Sequence, residues 1–176
     1  GDTTADMTSI TGVKSFATAD STGAIVIDNA TSASMALGFS GQFNNTITAN
    51  YASGLTGTDD NILMNVMSAK NVTVDVDSGF ERATLALNGT ANTVTSITTP
   101  KTGGMSLTIS GSGDATFSAD AFVSSSALTI TNTAALKFGA IDTLDVKTFT
   151  ATANTGGIIG STALVSPNIY STDEID

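Results

Sequence analysis

The residues with the clearest capacity for chemistry are three adjacent oxygen-bearing side chains, Asp59, Asp60 and Asn61, which precede a run of apolar residues. Gly54 and Gly57 come just before them. Carboxylate and amide oxygens are ligands that Ca²⁺ prefers in proteins, and glycines let a backbone turn closely around an ion. The stretch therefore predicts either part of a calcium site or an Asp/Asn turn whose side chains bond nearby backbone N–H groups. For these residues alone we favour the turn.

A second acidic group follows in the segment NVTVDVD. Asp75 and Asp77 alternate with valines, so they lie on one face of a strand, roughly 7 Å apart, with Glu81 shortly after them. Like charges so placed repel unless a cation lies between them. Asp59 and Asp60 would come near them if the strand around Val74 stacked next to the strand around Met64. The alternative is a solvated polar face. The predicted calcium ligands are Asp59, Asp60, Asn61, Asp75 and Asp77.

Other chemistry is limited by the residue types that the chain lacks, because it has no Cys, no His and no Trp. This excludes Ser-His-Asp and Cys-His catalysis, zinc sites of the usual ligand types and thiol redox chemistry. Two carboxylates can hydrolyse a glycosidic bond. Sugar clefts are usually lined with aromatic residues, however, and the chain offers only Tyr51 and Tyr170 with no Trp. We predict that the chain is not an enzyme.

The charge balance excludes further classes of partner. Sixteen acidic residues against six basic ones give a net charge of −10. Nucleic-acid binding needs a basic stripe that displaces counterions from phosphates, and anionic membrane surfaces are disfavoured for the same reason. No apolar stretch of about 18 residues is present, so we expect no membrane span. Cations are the attractive partners for such a surface, and Ca²⁺ is the obvious one.

The elements that would position these residues are short strands. Alternating segments of four to seven residues recur about every 8 to 13 residues, bounded by Gly, Asn, Ser or Asp, and helical periodicity is hard to find. This spacing predicts an all-β fold, with a β-solenoid favoured over a β-sandwich because the segments are short and rich in small residues. The predicted inward-facing sets are Ile62, Met64, Val66; Val72, Val74, Val76; Ala83, Leu85, Leu87; Met105, Leu107, Ile109; Leu128, Ile130; Leu136, Phe138; and Leu144, Val146.

Two segments break the alternation. Val94 and Ile97 cannot share a face of one regular strand, and neither can Val146 and Phe149, so we predict a bulge or corner at each. Near the N-terminus the segment DMTSITGVKSF fits either a short helix or a strand. Its β-branched residues favour the strand.

With the strands placed, three pieces of sequence resemble the repetitive β-rich region of bacterial surface-layer proteins and large adhesins secreted with the calcium-binding RTX family. They are GLTGTDDNILMNVMSAKNVTVDV, SGFERATLALNGTANTVTSIT and MSLTISGSGDATFSAD, which together span residues 54 to 120. The RTX nonapeptide is G-G-x-G-x-D-x-U-x, with U a large apolar residue. Gly54, Gly57 and Asp59 match it, whereas Leu55 and Asn61 depart from it, and no second copy adjoins this one.

The resemblance implies a secreted β-solenoid that assembles laterally into a lattice at the bacterial cell surface, with Ca²⁺ assisting and without catalysis. Cell-surface glycan or lipopolysaccharide would be bound through other parts of the protein. Two alternatives share the composition: an adhesin or fibre module that binds host glycans or proteins, and the outer variable domain of a filament protein. We expect one all-β segment over residues 1–176, excised from a larger extracellular protein, with residues 52–56 as the place of any subdivision.

Overall fold

The chain winds between two parallel β-sheets, and each strand pairs with the strand two places along the sequence. The computed structural model describes residues 1–30, 36–51, 58–76, 79–100, 104–118, 121, 125–139, 148–152, 154–160 and 169–171. Strands within this part of the chain are numbered in sequence order, and odd-numbered and even-numbered strands form separate sheets.

Sheet A contains β1 (Thr3–Asp6), β3 (Ile25–Ala30), β5 (Ile47–Tyr51), β7 (Val72–Val76), β9 (Asn92–Thr98), β11 (Ala115–Phe117), β13 (Leu136–Phe138) and β15 (Ile158–Gly160). Sheet B contains β2 (Ser15–Ala19), β4 (Ala36–Gln42), β6 (Asn61–Lys70), β8 (Arg82–Asn88), β10 (Met105–Gly111), β12 (Ser125–Ile130), β14 (Thr148–Ala151) and β16 (Ile169–Ser171).

This arrangement is a β-solenoid, which confirms the predicted fold class. The pairings between the described strands are parallel, as in Ile62 with Ala83 in sheet B. A sandwich built from hairpins would pair consecutive strands antiparallel. Strand pairing also continues across residues 52–56, since β4 pairs with β6 and β5 with β7. The extent of the segment and its excision from a larger protein stay predictions.

The core lies between the two sheets and is filled by the inward-facing sets. Within the part of the chain that the structure describes, each predicted inward residue is buried. Leu144 and Val146 lie outside the described residues. Phenylalanine rings contact each other along the core. Phe117 and Phe138 stack at a centroid distance of 5.1 Å, and Phe138 and Phe149 meet edge to face at 6.5 Å. Such contacts add to the roughly 25 cal/mol per Å² of buried apolar area.

The predicted bulge at Val94 and Ile97 is confirmed. Both side chains are buried, and the two residues between them are half-buried. The pairing of β7 with β9 slips at this point, because Val72 pairs with Val94 whereas Thr73 pairs with Ser96. The extra residue lets one strand place both apolar side chains in the core. The second predicted break involves Val146, which lies outside the described residues.

The strand predicted for DMTSITGVKSF is wrong over most of its length, because β1 ends at Asp6 and β2 begins at Ser15. The Asp6 side chain accepts hydrogen bonds from the backbone N–H and the hydroxyl of Thr8, at 2.9 and 2.6 Å. Ile10 N–H donates to the Met7 carbonyl. These local bonds hold a turn that competes successfully with β propensity.

The solenoid has two kinds of corner. We call the connections from sheet B to sheet A the first corner and those from sheet A to sheet B the second corner. First-corner connections contain one to six residues and second-corner connections five to nine.

Left-handed backbone conformations recur where the strands of sheet B enter the first corner. Asp20, Gly41, Ser68 and Gly89 occupy successive layers there, with φ values of 50°, 75°, 50° and 69°. Side chain and glycine alternate along this row. Gln42 N–H donates to Asp20 Oδ1 at 2.9 Å, and Thr90 N–H donates to Ser68 Oγ at 3.2 Å.

The glycines of this row are required by their neighbours as well as by their φ values. A Cβ atom at Gly41 would overlap the Asp20 carboxylate, and one at Gly89 would overlap Ser68 Oγ. Each side chain therefore fills the space that the next layer leaves by lacking a Cβ.

Candidate metal centre

The predicted metal ligands Asp59 and Asp60 lie at the second corner, immediately before β6 in sheet B. Glu81 takes the corresponding position before β8, one layer further along. The Asp60 carbonyl accepts hydrogen bonds from Glu81 N–H at 3.1 Å and from Arg82 N–H at 3.0 Å. Parallel pairing thus begins at these residues and brings the two acidic turns together.

The Asp59 carboxylate already has a cationic partner. Arg82 Nη2 lies 3.0 Å from Asp59 Oδ2 and also donates to the Asp59 carbonyl at 3.1 Å. The two side chains are 72% and 50% exposed for Asp59 and Arg82 respectively, so the ion pair itself contributes little to stability. A metal ion at Asp59 would have to compete with this guanidinium.

Asp60 differs from Asp59 because part of its carboxylate is buried. Its N–H donates to Glu81 Oε2 at 2.9 Å, while its own Oδ2 is buried without a hydrogen-bond partner. A buried carboxylate oxygen without a donor is unfavourable, and either a cation or a bound water would relieve this cost. Asp60 is therefore the described residue of this corner that best fits a cation.

Asn61 is occupied by a bond between layers. Its Oδ1 accepts a hydrogen bond from Thr84 Oγ1 at 3.2 Å, between β6 and β8. Side-chain bonds of this kind along a parallel sheet reinforce the register. The Asn61 side chain therefore stabilises the pairing of β6 with β8.

Asp75 lies in the other sheet, apart from the strand that follows Asp60. The side-by-side stacking of these strands, which would have joined the two acidic groups, does not occur, because β7 pairs with β5 and β9 whereas β6 pairs with β4 and β8. Thr98 Oγ1 donates a hydrogen bond to Asp75 Oδ1. Asp75 also lines a surface recess of about 540 Å³ with Thr48 and Asn50.

The remaining predicted features fall outside what is described. Asp77, Gly54 and Gly57 lie outside the described residues, as do the side chains of Tyr51 and Tyr170. Among the residues that the structure does describe, no three acidic side chains converge on a point that could hold a metal ion. The five-residue calcium site stays a prediction. Of its described members, Asp59, Asp60 and Asn61 lie before or at the start of β6, whereas Asp75 lies in β7 of the other sheet.

One further pair of acids adjoins in sheet A, where Asp6 of β1 is the register partner of Asp28 of β3. The pKa of Asp6 is lowered from its ordinary value, first by the hydrogen bond from the Thr8 hydroxyl, then by the Thr8 N–H and the Asn29 side chain. These donors stabilise the ionised carboxylate.

Sequence reasoning missed three buried asparagines that hold the first corner. Asn92 Nδ2 donates to the carbonyls of Asn88 and Asp114, at 3.1 and 2.9 Å, and its Oδ1 accepts from Ala69 N–H at 3.1 Å. It thereby bonds to three successive layers. A repeated Asn-Thr dipeptide in the sequence could have revealed the set, which comprises Asn92, Asn132 and Asn154.

Asn132 and Asn154 continue this pattern directly from one layer to the next. Asn154 Nδ2 donates to the carbonyls of Asn132 and Ala134, both at 2.9 Å. Asn132 Nδ2 donates to the carbonyls of Ser110 and Gly113 in the preceding layer. The amide side chains replace the backbone partners that a sharp turn removes.

In the described part of the chain, no helix is long and apolar enough to span a lipid bilayer. No family model, no curated protein and no solved structure matches this chain.

Proposed function

We propose that this chain is a structural segment of a bacterial cell-surface layer, which works by lateral association with further copies of itself. The observation that supports this proposal most is the regularity of the solenoid. Two sheets of eight parallel strands repeat the same pairing from layer to layer, so each outer face presents side chains at the strand spacing of about 4.8 Å.

Such a body is suited to repetitive contacts. In a solenoid each layer contacts mainly its neighbours, so stability is distributed along the axis and the outer faces are left for other roles. Those faces carry mostly Thr, Ser, Ala and Asn, whose side chains are short and lose little conformational entropy on packing.

Calcium assistance is the second part of the proposal. The buried Asp60 Oδ2 has no hydrogen-bond partner, and Glu81 places a second carboxylate against the Asp60 backbone. Ca²⁺ binds carboxylate oxygens and tolerates irregular geometry, so it suits this corner. The net charge of −10 also means that divalent cations would reduce repulsion between copies.

Sedimentation velocity on the 176-residue chain, across protein concentration and with or without millimolar Ca²⁺, tests association. We expect concentration-dependent oligomers that increase with Ca²⁺. A monomer under every condition would overturn the proposal.

Calorimetric titration with CaCl₂ tests calcium binding separately from association. Asp60→Asn should weaken binding, whereas Asp28→Asn removes the same charge from sheet A and should leave binding unchanged. Equal affinities for both variants and the unmodified chain would exclude Asp60 as a ligand.

A further inference from the structure

The strands of the two sheets differ in charge. In sheet B the strands contain no Asp or Glu, and the charged residues of the strands described with their side chains are Lys70 and Arg82, at strand ends. Sheet A has Asp6, Asp28 and Asp75 within its strands, and one cation, the exposed Lys137 of β13. Within the described strands, the acidic residues therefore lie in sheet A.

Apolar side chains protrude from this same face. Among the described residues three large hydrophobic side chains are exposed, and two of them, Leu63 at 37% and Met67 at 60%, point outward from β6. Asn65 lies between them and is also exposed. The register partners beside them have shorter side chains, with Thr84 next to Leu63 and with Ser40 and Asn88 on either side of Met67. The two apolar side chains therefore extend further from the sheet than their neighbours.

A row of threonines continues the register of Leu63 along the sheet, in the order Thr84, Thr108, Thr129 and Thr150. Their side chains are half-buried. Branching at Cβ restricts the rotamers of these residues, so this row presents an ordered, uncharged surface.

The face reaches the lower end of the area that stable interfaces bury, about 600 Å² per partner. The seven strands from β2 to β14 span about 29 Å at the usual strand spacing, and segments of about six residues are about 20 Å long. The projected area is about 600 Å² per copy, before side-chain relief is included. A standard interface buries roughly 800 Å² per partner.

Charge decides which partner fits. Two copies with a net charge of −10 each repel wherever acidic surfaces meet. The strands of sheet B carry no carboxylate, and the acids that adjoin them, such as Asp20, Asp59 and Glu81, lie beyond the strand ends. The cations of sheet B are already engaged, since Arg82 pairs with Asp59 and Lys70 Nζ donates to the Ala91 carbonyl. The charge of Arg82 is therefore compensated within the chain, and Lys70 is a single cation at the end of β6, too little to attract the acidic residues of sheet A of another copy strongly.

We infer that the outer face of sheet B is the surface through which a second copy of this chain binds, with sheet B packed against sheet B around Leu63 and Met67. This inference rests on the proposed self-association and specifies its surface. The contact is isologous, so a two-fold axis relates the copies and residues close to that axis face their own counterparts.

The absence of Cys from the chain allows a direct test, because a single introduced Cys is the one thiol present. Asn65→Cys places it among the exposed residues of sheet B, and Thr116→Cys places it at an exposed position of sheet A. Under mild oxidation we expect disulfide-linked dimers from Asn65→Cys well in excess of those from Thr116→Cys. Equal yields would overturn the assignment of the face.

Sedimentation of charge variants gives an independent measurement. Met67→Asp should weaken dimerisation at least about tenfold, because a carboxylate would be buried at the contact. Thr116→Asp adds the same charge to sheet A and should weaken it far less. Circular dichroism confirms that both variants keep the β-sheet spectrum.

The outcomes separate the two proposals. If the unmodified chain associates but Met67→Asp and Thr116→Asp weaken association equally, the sheet B contact is wrong and the proposed function stands. If the unmodified chain stays monomeric with and without Ca²⁺, both proposals fail.

Discussion

The first and second corners both connect the two sheets, but different kinds of contact stabilise them. The first corner is short and internally bonded, with buried asparagines such as Asn92 that bond from layer to layer. The second corner is longer and carries the acidic turns, where Asp59 and Arg82 form a largely exposed ion pair. One corner is thus held by buried hydrogen bonds and the other partly by exposed charges.

The contrast matters because buried and exposed polar contacts differ in energy. Loss of a partner for a buried donor or acceptor costs about 1–3 kcal/mol, whereas an exposed ion pair contributes about 0–1 kcal/mol. The first corner should therefore set the register of the solenoid. The second corner can vary more in length and composition. Surface loops of this kind commonly carry functional residues.

The largest expected effect is the loss of an asparagine from the first corner. Asn92→Leu removes the acceptor of Ala69 N–H and both hydrogen bonds that the Asn92 side chain donates, inside a fully buried site. We expect the free energy of unfolding to fall by about 3 kcal/mol. Urea denaturation measures this change. The exposed Asn65→Leu is the control and should alter stability by less than about 0.5 kcal/mol.

A glycine at each corner sharpens the comparison. Gly89 and Gly12 both have positive φ, of 69° and 78°, but a Cβ at Gly89 would overlap Ser68 Oγ whereas one at Gly12 would meet nothing within 4 Å. Gly89→Ala should cost about 2–3 kcal/mol and Gly12→Ala about 1 kcal/mol, both by urea denaturation. Ser68→Ala should reduce the cost of Gly89→Ala in a double-mutant cycle. Equal costs at the two glycines would contradict the packing argument.

The ion pair of the second corner should contribute little. Arg82→Ala removes the partner of Asp59, and we expect a loss of about 0.5 kcal/mol at low salt that declines further in 1 M NaCl. Thermal or urea unfolding at the two salt concentrations checks this. A loss above about 2 kcal/mol would show that the second corner is held as firmly as the first.

The smallest effect concerns the turn after β1, where hydrogen bonds from Thr8 and Asn29 lower the pKa of Asp6. Because the folded pKa lies below the unfolded one, this stabilisation is present above the unfolded pKa and is lost as the pH falls through the folded pKa. Thr8→Ala should raise the pKa of Asp6 toward its ordinary value. NMR titration of the Asp6 carboxyl carbon measures the shift, and an unchanged value would show that Thr8 is not the cause.

The sequence alone is sufficient to predict which residues face the core of this fold. A period of two identifies which residues face inward, as for Leu85 and Leu87, and a break in the period identified the bulge at Val94 and Ile97. This succeeds because burial acts on each strand independently of its neighbours.

The partners of each strand are harder to predict, since alternation says which face a residue takes but not which strand lies beside it. The proposed proximity of Asp60 and Asp75 depended on pairing β6 with β7, whereas the solenoid places them in different sheets. The buried asparagines were missed for a related reason. Asn92 reads as a surface turn residue until the layers above and below supply its hydrogen-bond partners.

Along the row Asp20, Gly41, Ser68 and Gly89, side chain and glycine alternate, so this part of the solenoid repeats every two layers. We call one strand of each sheet, with its corners, a coil. Duplication or deletion of a single coil would place two glycines, or two side chains, opposite each other in adjacent layers, which would leave a void or a steric clash. Duplication of two coils would keep the order intact. In this region the smallest segment that can be duplicated without further substitutions is therefore a pair of coils. The repeating unit of the solenoid here is two layers, twice the spacing between adjacent strands.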